Sequence, residues 1–258
     1  MDTPTPFLVP SGLNEENYLD WLFSLNNETC KLPCWWGIEP ESTNFSTLDP
    51  VMAPLGLREL GHRESMPDGI IPSGFSNSNN SFGNVSGVFW FWEQVYQGIK
   101  VVLEPSSSTG GGLSFIQTHY ELKPILIEYG MPSRVLVGLI ADAPEPTTTW
   151  VYEIWVFYDD KGMGLNCRGP YDLPTSTDHA IRVCLNRLDL IFLYLQSPNG
   201  LRDFVEYQFG EELGIEYLLE HQFLRPWEEV TGLSVAEFYS MFSRDNNDCF
   251  DSPRELWQ

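Results

Sequence analysis

Apolar residues recur at every second position in the middle of the chain, where they predict a β-hairpin. Every second residue from Trp150 to Tyr158 is apolar, as in a strand whose successive side chains point to opposite faces. The segment 159–162 (Asp-Asp-Lys-Gly) has turn composition, and Met163–Cys167 forms the returning strand. Gly162 is expected to adopt a positive φ in this turn.

Other segments with strand composition lie on both sides of this hairpin. A β-branched and aromatic run, Val85–Val95, precedes an alternating segment, Gly98–Leu103. They predict an antiparallel hairpin over 85–103, with its loop at 96–98. The remaining predicted strands are 134–140, 180–185 and 189–195.

Helical spacing of apolar residues is clearest over 113–129, and Gly130 with Pro132 predicts where this helix ends. Pro124 is expected to kink it. The capping-box patterns at Ser234 and Ser252 each predict the start of a short helix. Further helices are predicted at 14–25, 45–55, 200–209 and 216–222.

These patterns predict an α+β fold of antiparallel sheets with packed helices. The chain of 258 residues suits one or two domains. Two tandem helix-plus-antiparallel-sheet units and a helical C-terminal segment packed on them fit the order of the elements. The predicted boundaries are a linker at 1–12, a first unit at 13–104, a second at 105–198 and the helical segment at 199–258.

Charge restricts the classes of partner. The 36 acidic residues outnumber the 14 basic ones and give a formal net charge of −22. Such a field repels phosphate backbones and favours a cationic partner, so no nucleic acid is expected. The apolar runs are too short for a transmembrane segment.

No catalytic, cofactor or metal motif occurs in the sequence, so none of these sites is predicted and the enzyme hypothesis is the weaker one. Trp35 and Trp36 form the candidate aromatic binding surface, since an exposed aromatic pair can bind a sugar ring. Their neighbours Cys34 and Ile38 are apolar, which favours placing at least one of the two rings in the core.

Two stretches resemble a family of uncharacterised exported bacterial proteins, usually secreted or lipid-anchored. One is LPCWWGIEP at 32–40, close to the family pattern LPCWWGIxPGxT, although Glu41-Ser42 stands where that pattern has glycine. The other is RPWEEVTGLSVAEFY at 225–239, followed by Cys249 and a final Leu-Trp. The segment YGMPSRV at 129–135 extends the similarity. The middle region also resembles the small outer-membrane assembly lipoproteins and the β-lactamase-inhibitor-protein fold.

The family resemblance implies an extracytoplasmic location, either secreted or anchored in the envelope by a lipid on a leader absent from this sequence. It also favours disulfides among Cys30, Cys34, Cys184 and Cys249. The pairs expected are Cys30–Cys249 and Cys34–Cys184, with Cys167 left over.

Together these observations lead to the hypothesis of a non-enzymatic extracytoplasmic binding or envelope-associated protein with an unidentified protein or polysaccharide partner. Two alternatives stay open. A secreted hydrolase acting on carbohydrate would need a cleft with a carboxylate pair of split pKa values. A protein inhibitor is suggested by the fold resemblance alone.

Overall fold

A computed structural model describes the chain at residues 31–32, 34–35, 38–41, 58–62, 70–76, 84–92, 95–104, 120–141, 150–170, 180–185, 190–196, 224–244 and 249–257. The strands in these ranges are β1 (Arg58–His62), β2 (Ile70–Ser76), β3 (Asn84–Trp92), β4 (Val95–Glu104), β5 (Arg134–Ala141), β6 (Trp150–Tyr158), β7 (Met163–Pro170), β8 (Ala180–Cys184), β9 (Leu190–Gln196), β10 (Arg225–Pro226) and β11 (Cys249–Pro253). The α-helices are α1 (Leu122–Tyr129), α2 (Trp227–Thr231) and α3 (Val235–Arg244). Short 3₁₀ helices span Asp159–Lys161 and Arg254–Trp257.

These elements belong to two compact units. The first contains strands in the order β1-β2-β3-β4-β9, and the second contains strands in the order β7-β6-β5-β10 and a separate pair, β8-β11. Wherever a register is defined in the described ranges, the pairing is antiparallel. The predicted α+β class with antiparallel sheets is therefore confirmed, while the predicted boundaries at 13–104, 105–198 and 199–258 stay a prediction. The helices predicted at 14–25, 45–55, 200–209 and 216–222 lie outside the described residues.

The hairpin of the first unit corrects the predicted position of its loop. β3 and β4 pair antiparallel, and Gly98 pairs with Trp90 within the ladder, so the predicted loop at 96–98 is wrong. The strands connect between Trp92 and Val95. A Cβ on Gly98 would lie 2.8 Å from the Leu195 carbonyl oxygen of β9. Glycine is there because a neighbouring backbone approaches closely, which can also explain a glycine inside a strand.

The hairpin of the second unit agrees with its sequence pattern. β6 and β7 are neighbours, and the 3₁₀ turn Asp159–Lys161 followed by Gly162 joins them. Gly162 has a φ of +62°, so the predicted positive φ is confirmed. A connection this short requires the two strands to run antiparallel.

Helix α1 packs on this sheet through Tyr158. The rings of Tyr129 and Tyr158 meet edge to face with centroids 6.1 Å apart, and the Tyr158 hydroxyl donates a hydrogen bond to the Gly130 carbonyl at 2.9 Å. The predicted helix-on-sheet packing is confirmed. Of the helix predicted at 113–129, residues 113–119 lie outside the described ranges, and α1 spans Leu122–Tyr129. Pro124 lies in the first turn of α1, where no intrahelical N–H donor is required, so its position does not require the expected kink.

The C-terminal elements pack around one buried indole. Trp227 contacts the rings of Phe238, Phe242 and Phe250 in edge-to-face geometry with centroid distances of 5.0, 6.0 and 5.0 Å. Helix α2 ends at Gly232, which has a φ of +73°. That left-handed residue reverses the chain, so α3 follows α2 after a short connection.

One of the two predicted capping boxes is confirmed. The Glu237 carboxylate accepts hydrogen bonds from the backbone N–H and the hydroxyl of Ser234, both at 2.8 Å, and the Glu237 N–H donates to the Ser234 hydroxyl. Ser252 instead pairs with Ile181 inside β11, and its hydroxyl accepts a hydrogen bond from the Trp257 indole. The predicted cap at Ser252 is wrong because Ser252 lies inside a paired strand, where it does not act as a helix N-cap.

The predicted cysteine pairs are also corrected. Cys184 and Cys249 are direct partners across β8 and β11 and form a disulfide, which excludes Cys34–Cys184 and Cys30–Cys249. The error arose because the two cysteines are 65 residues apart in sequence and only the strand pairing brings them together. Cys34 is disulfide-bonded, while Cys30 lies outside the described residues. Cys167 is free and buried, which confirms that it is left over.

The Ser234 cap provides a test of how α3 begins. Ser234→Ala should lower the free energy of unfolding by about 1 kcal/mol, since it removes the side-chain acceptor at the helix N-terminus. Ser240→Ala is the matched control, because Ser240 is exposed within the same helix. Urea denaturation followed by circular dichroism measures both variants, and equal effects would contradict the cap.

The same cap predicts a dependence of stability on pH. Hydrogen bonds from Ser234 hold the pKa of the Glu237 carboxyl below its usual range. A depressed pKa stabilises the fold above the unfolded-state pKa, and the contribution is lost as the pH falls through the folded-state value. Glu237→Gln should therefore be less stable than the wild type at pH 7, and the difference should shrink in acid. A constant difference across that range would contradict the assignment.

The backbone of the turn after Ile38 is strained at Glu41, and substitution can test this strain. Trp35 and Ile38 exchange backbone hydrogen bonds at 2.9 Å, and Glu41 beyond them has a φ of +63°. This is the position where the family pattern has glycine, the residue that adopts this conformation without a Cβ clash. Glu41→Gly should raise the free energy of unfolding by up to about 1 kcal/mol. Glu39→Gly, at an exposed position without a positive φ, should lower it; stabilisation by both variants would refute the strain.

Candidate functional site

The β7-β6-β5 sheet of the second unit has two faces of different character. Tyr152, Ile154, Val156 and Tyr158 lie on the face that packs against α1, and all are buried. The intervening residues Glu153, Trp155 and Phe157 lie on the opposite face and are also buried. We call this second surface the Glu153 face and include in it the neighbouring side chains of Leu136, Asn166 and Arg168.

A buried carboxylate lies at the centre of the Glu153 face. One oxygen of Glu153 forms an ion pair with the Arg168 guanidinium of β7. The other accepts a hydrogen bond of 3.0 Å from the indole N–H of Trp155. The Glu153 side chain is 4% exposed and that of Arg168 is 24% exposed, so Arg168 marks the side nearest to solvent. Both carboxylate oxygens are engaged, which satisfies a charge that would otherwise be costly to bury.

Asn166 lies on the Glu153 face beside Arg168. The two residues are two positions apart in β7, so their side chains point to the same face at about 7 Å from each other along the strand. Asn166 is fully buried, with an exposure of 0%.

The carboxamide of Asn166 has unused hydrogen-bonding capacity. Neither its Oδ1 nor its Nδ2 has a hydrogen-bond partner among the residues that the structure describes. A buried donor or acceptor without a partner costs about 1–3 kcal/mol, so most buried polar side chains are satisfied. Asn166 thus offers one buried edge that can both accept and donate a hydrogen bond.

Two glycines lie next to these polar side chains on the Glu153 face. Gly138 of β5 is the direct partner of Glu153, and Gly164 precedes Asn166 by two residues on the same face of β7. Neither contributes a side chain beside the polar groups. Leu136, the partner of Trp155, and Phe157, which stacks on Trp155 at 5.9 Å, supply apolar walls.

The sequence-predicted candidates do not assemble into this site. Trp35 is fully buried, so it does not form an exposed aromatic surface, in keeping with the placement of at least one of the two rings in the core. Trp36 lies outside the described residues. Cys34 is disulfide-bonded, while the Cys184–Cys249 disulfide joins β8 to β11, and neither belongs to the Glu153 face.

Sequence reasoning missed Glu153, Asn166 and Arg168, although one signal was present. Trp155 and Phe157 lie on the face of β6 that simple alternation assigns to solvent. A strand that is apolar on both faces is typically buried on both. An acidic residue in such a strand needs a buried partner, and the returning strand of the same hairpin is the nearest source.

No group of three or more potential metal-ligating side chains occurs in the described ranges. None of the helices described is both long and apolar enough to cross a bilayer. Comparison of the chain with protein-family models, curated proteins and solved structures gave no match.

The buried ion pair leads to a stability prediction. Glu153→Gln should lower the free energy of unfolding by about 2–3 kcal/mol, because a neutral carboxamide replaces the charged group that accepts from Arg168 and Trp155. The double variant Glu153→Gln/Arg168→Met should recover part of that loss, as removing both charges also removes the desolvation cost.

A cross-strand pair in the same unit serves as the control. Arg182 and Asp251 are direct partners on β8 and β11, and their side chains are 65% and 58% exposed. Asp251→Asn should cost less than about 1 kcal/mol, as for other surface pairs. Chemical denaturation of all four proteins measures the difference, and similar costs for Glu153→Gln and Asp251→Asn would contradict the buried pair.

Proposed function

We propose that this chain is a non-enzymatic binding protein that acts outside the cytoplasm. The observation that carries the location is cysteine bonding. Cys34, Cys184 and Cys249 are disulfide-bonded, and structural disulfides persist mainly in oxidising compartments. The resemblance of the motifs at 32–40 and 225–239 to exported proteins points the same way.

The binding role is supported by how the polar groups of the Glu153 face are used. A general base needs a free lone pair within reach of a substrate proton. Both Glu153 oxygens already accept from Arg168 and Trp155, so this carboxylate is suited to hold a fixed geometry. Asn166 does not change its charge near neutral pH, and its carboxamide suits recognition by hydrogen bonds.

The net negative charge of the protein acts on a partner at longer range than the hydrogen bonds of the site do. A net charge of −22 accelerates encounter with a cationic partner in a salt-dependent manner. The proposed partner at an envelope is therefore a protein or polysaccharide whose contact surface carries positive charge.

Trapping of thiols in the producing cells tests the location. Alkylation before lysis, followed by peptide mapping, should label Cys167 only after denaturation and should recover the Cys184–Cys249 cross-link. Burial raises the pKa of the Cys167 thiol, so it should react far more slowly in the native protein. Labelled Cys184 and Cys249 in unreduced cells would contradict an extracytoplasmic location.

Activity assays test the binding role separately. The purified oxidised protein should leave a panel of polysaccharides unhydrolysed, and its retention on an immobilised cationic polymer should fall as the salt concentration rises. Glu153→Gln is the control for hydrolysis. Turnover by the wild type that this variant loses would establish the hydrolase in place of the binding protein.

A further inference from the structure

We propose that the Glu153 face holds a small, uncharged ligand whose edge carries a hydrogen-bond donor and an acceptor side by side, with Asn166 as the recognition residue. Primary amides, lactams and nucleobases share this chemistry. This ligand is distinct from the cationic partner proposed above, so the proposal goes beyond that function.

The first argument is the unsatisfied carboxamide. Asn166 has 0% exposure, and neither of its side-chain polar atoms has a partner within the described part of the chain. A planar carboxamide presents its acceptor oxygen and donor nitrogen on one edge. A ligand edge of the opposite order forms two parallel hydrogen bonds with it, as Asn does with an adenine base.

The second argument is the charge balance around Asn166. Glu153 and Arg168 form an ion pair, so the polar groups of the cluster carry no net charge. Among these described residues, a charged ligand would meet charges that are already paired with each other, and its desolvation would be costly in a buried site. An uncharged ligand avoids this cost and still gains the two hydrogen bonds to Asn166.

The third argument is the aromatic character of the surroundings. Trp155 lies on the same face of the sheet as Asn166, and its ring stacks on that of Phe157 with an angle of 8° between the planes. A planar ligand can stack on an aromatic ring, and the partly exposed Arg168 side chain indicates the side from which it enters.

The test uses ligands in matched pairs on the whole oxidised chain. The probes are nicotinamide, 2-pyrrolidinone and 9-methyladenine, each at millimolar concentration, with N,N-diethylnicotinamide, 1-methyl-2-pyrrolidinone and 6-dimethylamino-9-methylpurine as the matched analogues that lack the N–H donor. Isothermal titration calorimetry measures affinity, and a thermal shift gives an independent measure. At least one probe should bind, and the analogue that lacks the donor should bind about tenfold more weakly. The relative affinities of the three probes show whether the site prefers a primary amide, a lactam or a nucleobase.

Asn166→Leu is the matched protein variant. It removes both polar atoms with little change in volume, so the ligand-free variant should be at least as stable as the wild type, while affinity for the best probe should fall about tenfold or more. Asp251→Asn, in the separate β8-β11 pair, should bind like the wild type. Should Asn166→Leu fail to fold, the matched ligand pairs on the wild type still decide the question.

Three results would overturn the proposal: no probe binds the wild type, the N-alkylated analogues bind equally well, or Asn166→Leu retains full affinity. Failure of the proposed function would look different. Chemical conversion of a bound probe, followed by NMR, would refute a non-enzymatic role while leaving the Asn166 site intact, and reduced Cys184 and Cys249 in cells would refute the location alone.

Discussion

The buried carboxylate of Glu153 is the constraint on which the second unit depends. Burial of a charge costs several kcal/mol unless hydrogen bonds and an opposite charge compensate it. Here Arg168 and Trp155 supply both. A shift of β7 by one residue would turn Arg168 to the opposite face and leave the carboxylate unpaired. The ion pair therefore favours one register of the hairpin, and the Asp159–Gly162 turn connects the strands in that register.

That register also fixes the opposite face, where α1 packs. Tyr158 ends β6 on the helix-packed face and donates its hydroxyl proton to the Gly130 carbonyl. Burial raises the pKa of this phenol well above its usual range, so the hydroxyl stays protonated and remains a donor throughout physiological pH. The β6-β7 hairpin thus has one apolar face, which packs against α1, and an opposite face that carries polar groups.

Local patterns predicted the elements better than the contacts between them. The β6-β7 hairpin, the positive φ at Gly162 and the Ser234 cap follow from neighbouring residues, and each was predicted. Gly98 was misread as a loop residue because the carbonyl that excludes a Cβ there belongs to Leu195 of β9. The cysteine partners were misassigned for the same reason, since the pairing of β8 with β11 has no local signature. The ion pair of Glu153 spans one hairpin, but the residue pattern of β6 by itself does not identify which basic side chain pairs with this carboxylate.

The motifs that carry the family resemblance are largely explained by folding. Trp227 fills the centre of the aromatic cluster, Gly232 reverses the chain and the Ser234–Glu237 pair begins α3. In this C-terminal motif these residues shape the fold, so the motif gives no information about what the protein binds. Asn166 contrasts with them, because its burial without a partner contributes nothing favourable to folding. A buried polar group that lowers stability is better explained by a hydrogen bond to a ligand. The residues that determine binding specificity are therefore expected on the Glu153 face and not in the motifs.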